Sequence, residues 1–276
     1  MDFTSDNTAA CASEILAALA AANAGTASAY GADAWTQRLD RAFSELFERE
    51  ARVFLVATGT AANAIALASA VPPWGAVICH REAHIERDEC GAPEFYSGGA
   101  KLILLDGAHA KIDAAGVEAM LGRYAGDPHR VQPAAVSLSQ ASERGALYTP
   151  AEIAAIAAVA RGAGMALHMD GARFANAVAA LACTPAEISW RAGVDLLSFG
   201  ATKNGAFGAE AIIAFDPKYA DEIARRRKRG GHLLSKSRYA AAQLLAYLEG
   251  GLWLKLAARA NALALKLGDA ARGCLS

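Results

Sequence analysis

The chain has 276 residues, 54% of them hydrophobic and 20% charged, with a formal net charge of −1. That is enough apolar material for a sizeable core and too little charge for a disordered chain. The near-neutral balance, and the lack of any uncharged apolar run of the ~18 residues a membrane span needs, give nucleic acid and membrane no support as partners.

Five cysteines (Cys11, Cys79, Cys90, Cys183, Cys274) are scattered, with no CxxC pair. Neither a disulfide framework nor a thiolate zinc site follows. The first residues, Met1 to Asn7, are polar and lack the pattern of a signal peptide. A reduced, cytoplasmic protein is the expectation.

In chain order, Ser5, Asp6, Asn7 and Thr8 offer capping side chains before an Ala- and Leu-rich helix over about 9–23. A loop with Tyr30 and Gly31 follows, then a helix over about 34–49 with Trp35, Leu39, Phe43 and Leu46 at helical spacing. A short buried strand at 53–56 leads into Ala57-Thr58-Gly59-Thr60-Ala61, which opens a helix to about residue 70. Strands are expected at 76–79, 101–105, 134–138, 166–169, 195–199 and 211–215, with helices at about 113–123 and 150–163. Short apolar strands separated by helices specify a three-layer α/β domain whose largely parallel sheet is covered on both faces. From about residue 216 the chain reads as helical, over roughly 218–228, 235–249 and 252–271. The last helix carries Leu252, Leu254, Leu256, Leu263 and Leu265, an apolar face with no later strand to pack on.

Several stretches could carry chemistry. Leu196 to Gly205 sets an apolar run before a glycine-flanked loop that holds one lysine, Lys203. A cation beside a buried strand is costly, and a lysine that sheds its proton becomes a nucleophile toward carbonyls. Taken alone, Lys203 could equally face water. Gly59 and Thr60 sit at a strand-to-helix turn, where backbone N–H groups and the helix dipole favour a phosphate. Gly59 allows close approach and the Thr60 hydroxyl adds a donor. Simple capping by Thr58 or Thr60 is the plain alternative. The turn is neither GxGxxG nor a Walker loop, which weakens dinucleotide and ATP readings.

His168-Met169-Asp170-Gly171-Ala172-Arg173 ends a strand, at the edge where ligands gather in open α/β sheets. Asp170 could hold a protonated ring nitrogen and Arg173 could fork onto a carboxylate, or the two could form an ion pair capping a helix. His168 reads as a hydrogen-bonded core histidine. His80 and His84, with Asp88 and Glu89, admit a metal site without a spacing that demands one. A histidine over an aromatic ligand, or one acting as a general base, fits as well. His129 reads as a surface residue, and Arg225-Arg226-Arg227-Lys228-Arg229 as a solvated helix end.

Taken in order, the phosphate-type turn, the loop histidine, Asp170-Gly171-Ala172-Arg173 and Lys203 resemble the threonine aldolase and β-eliminating lyase group of pyridoxal 5′-phosphate enzymes. The resemblance runs from Ser5 to about Leu256, and its motifs are specific in combination, though weak singly. It implies an aspartate aminotransferase-like fold. A three-layer large domain with a mostly parallel mixed sheet and an N-terminal arm would cover 1–245. A shortened helical C-terminal segment would cover 246–276.

The resemblance also implies roles. Lys203 would carry the cofactor, Asp170 would pair with its ring nitrogen, and Gly59 and Thr60 would hold its phosphate. His84 would stack on the ring and help to take the β-hydroxyl proton, with His129 near the same hydroxyl. Ser5, Arg173 and Tyr30 would bind substrate, Arg173 also lying against the cofactor. Tyr30 would act with Lys228 and Arg229 in a neighbouring subunit's site, in a homodimer or homotetramer with shared active sites. The implied reaction is aldol cleavage of L-threonine, L-allo-threonine or other β-hydroxy-α-amino acids, such as phenylserine, to glycine and an aldehyde.

Two alternatives stand beside it: a related β-eliminating lyase, and a cofactor-binding chain with impaired catalysis. The second is motivated by length. Family members continue past the end of this chain into a small domain that supplies a second carboxylate-binding arginine. Residues 85–92 are also more acidic than in the commonest members, which bears on the side chain preferred.

Overall fold

A computed structural model describes residues 4–124 and 126–275. The readings on Met1, Asp2 and Phe3 and on the Cys274 thiol lie outside the described residues and side chains. Helices α1 (Ser13–Ala22), α2 (Ala34–Gln37) and α3 (Leu39–Phe47) precede strand β1 (Arg52–Val56). Then come α4 (Gly59–Ala70), β2 (Gly75–His80), α5 (His84–Arg87), α6 (Ala92–Ser97), β3 (Lys101–Leu105), α7 (Ala114–Tyr124) and β4 (Gln132–Ser139). After α8 (Pro150–Gly162) follow β5 (Ala166–Gly171), α9 (Phe174–Leu181), β6 (Leu196–Gly200) and β7 (Glu210–Ala214). The chain continues through α10 (Ala220–Arg229), α11 (Arg238–Leu248) and α12 (Leu252–Leu275).

The seven strands form one sheet in the order β1-β7-β6-β5-β4-β2-β3. Strand β7 runs antiparallel to both neighbours, and the remaining pairs are parallel. Every residue of β2, β5, β6 and β7 is buried, as in a sheet covered on both faces. On one face Phe43, Ile156, Phe174, Leu244 and Trp253 bring α3, α8, α9, α11 and α12 into a single core. On the other face Ile65 of α4 and Ile223 of α10 pack with Val77, Leu196 and Ile212 of the strands.

The alternation of strand residues positions the chemistry. Leu167 and Met169 of β5 enter the first core, so His168 and Asp170 emerge on the α4 side. By the same pleat, Ser137, Ser198 and Glu210 share that side with Ala135, Leu196 and Ile212. His168 is fully buried there, its ring nitrogens 2.9 Å from Ser137 Oγ and 3.0 Å from Ser198 Oγ. It straps β4, β5 and β6 together, and burial lowers its pKa to about 4.

Several elements differ from expectation for identifiable reasons. The first helix starts at Ser13 rather than residue 9, because the Ala12 N–H donates to the Gly205 carbonyl at 2.8 Å. That long-range bond holds the preceding segment extended, against the lysine loop. The helix expected at 34–49 breaks at Arg38 and ends where Glu48 turns left-handed at φ 56°. Helices α5, α6 and α9 were not anticipated. Of these α9 matters most, since it supplies the packing partner that the last helix lacked on paper. Trp253 stacks on Phe174 with centroids 6.5 Å apart, and Asn261 Nδ2 donates to the Asn176 carbonyl. Farther along α12, Leu263, Leu265 and Leu267 are exposed. The division expected at 245 and 246 falls inside α11, and the core continues across it as far as Ala257.

Candidate active site

A cleft of about 530 Å³ opens at the C-terminal edge of the parallel strands, where the loops after β1, β2, β4, β5 and β6 meet. One end is the start of α4. Thr58 caps this helix, its Oγ1 accepting from the Ala61 N–H at 3.1 Å. The N–H groups of Gly59 and Thr60, in the first turn, have no partner within the helix, and both residues line the cleft. With the helix dipole they make a seat for an anion.

Asp170, 7% exposed, lies in the floor. Its Oδ1 accepts from the Ala172 N–H at 2.9 Å and its Oδ2 from Asn63 Nδ2 at 2.8 Å. Arg173 does not pair with it. Instead Arg173 Nε donates to Asp6 Oδ2 at 2.8 Å, tying the N-terminal segment to the cleft. Two glycines let the strand ends close up here. A Cβ on Gly171 would stand 2.7 Å from the Ser198 carbonyl, and one on Gly200 would stand 2.8 Å from the Ala172 Cα.

Lys203 follows β6 in a short turn, Thr202–Asn204, half-buried on the cleft wall. The turn is pinned from behind. Asn204 Nδ2 donates to Tyr247 Oη at 2.6 Å and to the Trp253 carbonyl at 2.9 Å. Glu210 stands beside it, and its Oε1 accepts from Thr202 Oγ1 at 2.5 Å. Burial pushes the Glu210 carboxyl up to about 7, against the opposing pull of the bonds from Thr202.

His84 opens α5 at the opposite wall. Its Nδ1 lies 2.8 Å from Glu89 Oε1, and its main-chain N–H donates to Glu143 Oε1 at 3.0 Å. The bond to Glu89 raises the imidazole pKa, although burial works against it. Burial likewise raises the Glu89 carboxyl, against the bonds from His84 and Asn63. His84, Glu89 and Asp170 place three ligand-type atoms within 4.8 Å of one another. Asn63 Nδ2 donates to both carboxylates at 2.8 Å, so a hydrogen-bond donor already bridges them.

Gly59, Thr60, His84, Asp170, Arg173 and Lys203 thus meet in one cleft. Ser5 is exposed and does not line the cleft; it caps the short turn Asp6–Thr8, which carries Asn7 to the cleft wall. Tyr30 stands away from the lining residues, exposed, with Lys228 Nζ 5.0 Å from its ring centre. His129 is not brought to the cleft. It lies in the turn before β4, with the full eight-residue strand between it and the cleft edge. The basic run is less solvated than expected, for Arg227 lies over the Phe54 ring and burial lowers its pKa. His80 is buried, its Nε2 3.2 Å from the Gly107 carbonyl, and plays no part in the lining.

Sequence reasoning missed Asn63 and Glu210 as site residues, and offered Glu89 only as a possible metal ligand near His84. Two signals were available. Asn63 falls four residues after Gly59, on the same face of α4. Glu210 is a lone acid opening an otherwise apolar strand.

The β-eliminating lyase family matches residues 2–273 of the chain. A low-specificity L-threonine aldolase of a Pseudomonas species is 46% identical over 260 residues, which are 94% of this chain and 75% of the relative. The solved structure of a Leishmania major threonine aldolase superposes with a TM-score of 0.93 at 30% identity, covering 99% of this chain and 79% of that one. A mutant aspartate aminotransferase of Thermus thermophilus, 14% identical, shares the fold with a TM-score of 0.70 over 91% of this chain and 69% of that one.

Proposed function

The chain belongs to the β-eliminating lyase family, and from that premise we propose that it cleaves β-hydroxy-α-amino acids of the L-threonine type to glycine and an aldehyde. It is a pyridoxal 5′-phosphate-dependent lyase. The observation that carries this reading is the meeting of Lys203, Asp170, His84 and the α4 start in one cleft, in a chain so similar to L-threonine aldolases.

The donor set suits the cofactor. The α4 start fits a phosphate monoester, the Asp170 carboxylate a protonated pyridine nitrogen, and the Lys203 amine the aldehyde carbon. When bound, the cofactor supplies an electron sink for the pair left on Cα. The protein does the rest. Arg173 exchanges Asp6 for the substrate carboxylate, and its fork fixes the amino acid so that the Cα–Cβ bond is aligned for cleavage. His84 takes the β-hydroxyl proton; the Cα–Cβ bond breaks, the aldehyde leaves, and Cα is reprotonated to glycine. Ser5, beside Asp6, completes the carboxylate side.

A homo-oligomer with shared sites belongs to the same proposal. Tyr30 and Lys228 form one exposed cation–aromatic patch, as residues offered jointly to another subunit would. Sedimentation of the holoprotein as a monomer at all concentrations would remove this part.

Product analysis tests the reaction. Purified protein with added cofactor and L-threonine should release glycine and acetaldehyde in equal amounts. A 2-oxo acid with ammonia would mean β-elimination instead.

A further inference from the structure

We propose that Glu89 is the positioning residue for His84: it holds the imidazole by Nδ1–H and so leaves Nε2 as the proton acceptor toward the cleft. The proposal rests on the reading of His84 as the base that takes the β-hydroxyl proton.

Glu89 sits in the link between α5 and α6, with none of its side chain accessible, whereas 37% of the His84 side chain is. Among the described residues no lysine or arginine forms an ion pair with Glu89, and its basic contact is the His84 ring. A buried acid so placed costs stability that an apolar side chain would not. Its Oε1 lies 2.8 Å from His84 Nδ1 and accepts from Asn63 Nδ2 at the same distance, while Oε2 is buried without a partner. An oxygen already taking an N–H from Asn63 is an acceptor, so the one proton of a neutral imidazole belongs on Nδ1. The Nε2 lone pair is then left for the substrate. This is the arrangement in which a base is oriented by a third group behind it.

Asn63 extends the arrangement. Its second N–H goes to Asp170, so the base and the carboxylate assigned to the ring nitrogen hang on one bridging amide. The other groups around His84 are Asp170 on β5, which favours the imidazolium, and Lys203 after β6, which opposes it. Glu143, in the loop after β4, accepts from the His84 main-chain N–H, and Asp88 lines the same cleft.

The test begins with the unmutated protein, free of cofactor and labelled with 15N. Long-range 1H–15N correlation reads which ring nitrogen carries the proton, with His84→Asn identifying the signals. The expected result is the Nδ1–H form of His84, titrating above an ordinary histidine. In Glu89→Gln the tautomers should mix and the titration should move down. In the holoenzyme Glu89→Gln should lower kcat about 10- to 100-fold with little change in KM, and move the acid limb of the kcat profile to lower pH. Glu89→Asp should restore part of both.

An Nε2–H tautomer in the unmutated protein overturns the proposal, and needs no variant that folds. So does a Glu89→Gln variant whose tautomer, titration and acid limb are unchanged. Full turnover by His84→Asn would instead remove His84 as the base, and would leave the Glu89–His84 bond standing.

Discussion

Asp170 and Glu210 are both 7% exposed on the same side of the sheet, yet their surroundings give them different work. Asp170 accepts N–H bonds from the Ala172 main chain and the Asn63 side chain. Glu210 accepts from Thr202, and burial outweighs those bonds and holds its carboxyl up at about 7. Its folded-state value lies above the ordinary 4.5, so its contribution to folding is full below about pH 4.5 and is lost as pH rises through about 7. A shift of that size corresponds to about 3 kcal/mol. Urea titrations should therefore show unfolding free energy falling more steeply between about pH 4.5 and 7 in the unmutated protein than in Glu210→Gln. Equal slopes would mean that Glu210 ionises freely. Lys203, Asp170 and Arg173 were legible in the sequence because each sits in a short motif at a strand end. The hydrogen-bonding partners of Asn63 were not, since its amide joins α4 to Glu89 and Asp170, which lie far along the chain. His129 was read from the resemblance alone, and the fold of this chain carries it to the other end of β4.

At the scale of elements, the cleft depends on how closely backbones approach. Gly59 and Gly200 make a contrast that separates folding from ligand binding. A Cβ on Gly200 would meet the Ala172 Cα at 2.8 Å, whereas one on Gly59 would find no protein atom nearer than 3.9 Å. Gly200→Ala should lower stability by about 1–3 kcal/mol, since packed backbone must move. Gly59→Ala should change stability by roughly 0.5 kcal/mol or less. It should nevertheless weaken cofactor binding about tenfold, or about 1.4 kcal/mol, because the added methyl stands at the phosphate seat. Thermal unfolding of the apoproteins and cofactor titration would check both. A Gly59→Ala variant that keeps full cofactor affinity would move the phosphate elsewhere. The strands and long helices were legible from apolar runs and spacing. Helix α9 was hidden because its Ala-rich sequence follows Asp170-Gly171-Ala172-Arg173, which reads as the start of a loop. The break at Arg38 and the late start of α1 were set by tertiary contacts that no local pattern carries.

Across the whole molecule, one sheet edge gathers residues from 7 to 210 into a single cleft, and the last helices brace it. Tyr247 and Trp253 hold the Asn204 side chain, so α11 and the start of α12 belong to the architecture of the lysine turn. The three-layer class was legible from strand and helix order alone. The place of α12 was not, because its first turns pack on α9 while Leu263, Leu265 and Leu267 farther on are exposed. No helix among the described residues is long and apolar enough to cross a membrane. The most direct test of the account is borohydride reduction of the purified holoprotein, followed by peptide mass mapping. The visible absorbance should be lost, the pyridoxyl mass should lie on Lys203, and the reduced protein should no longer release glycine and acetaldehyde from L-threonine. A label on another lysine, or a protein that stays colourless with added cofactor, would contradict the site described.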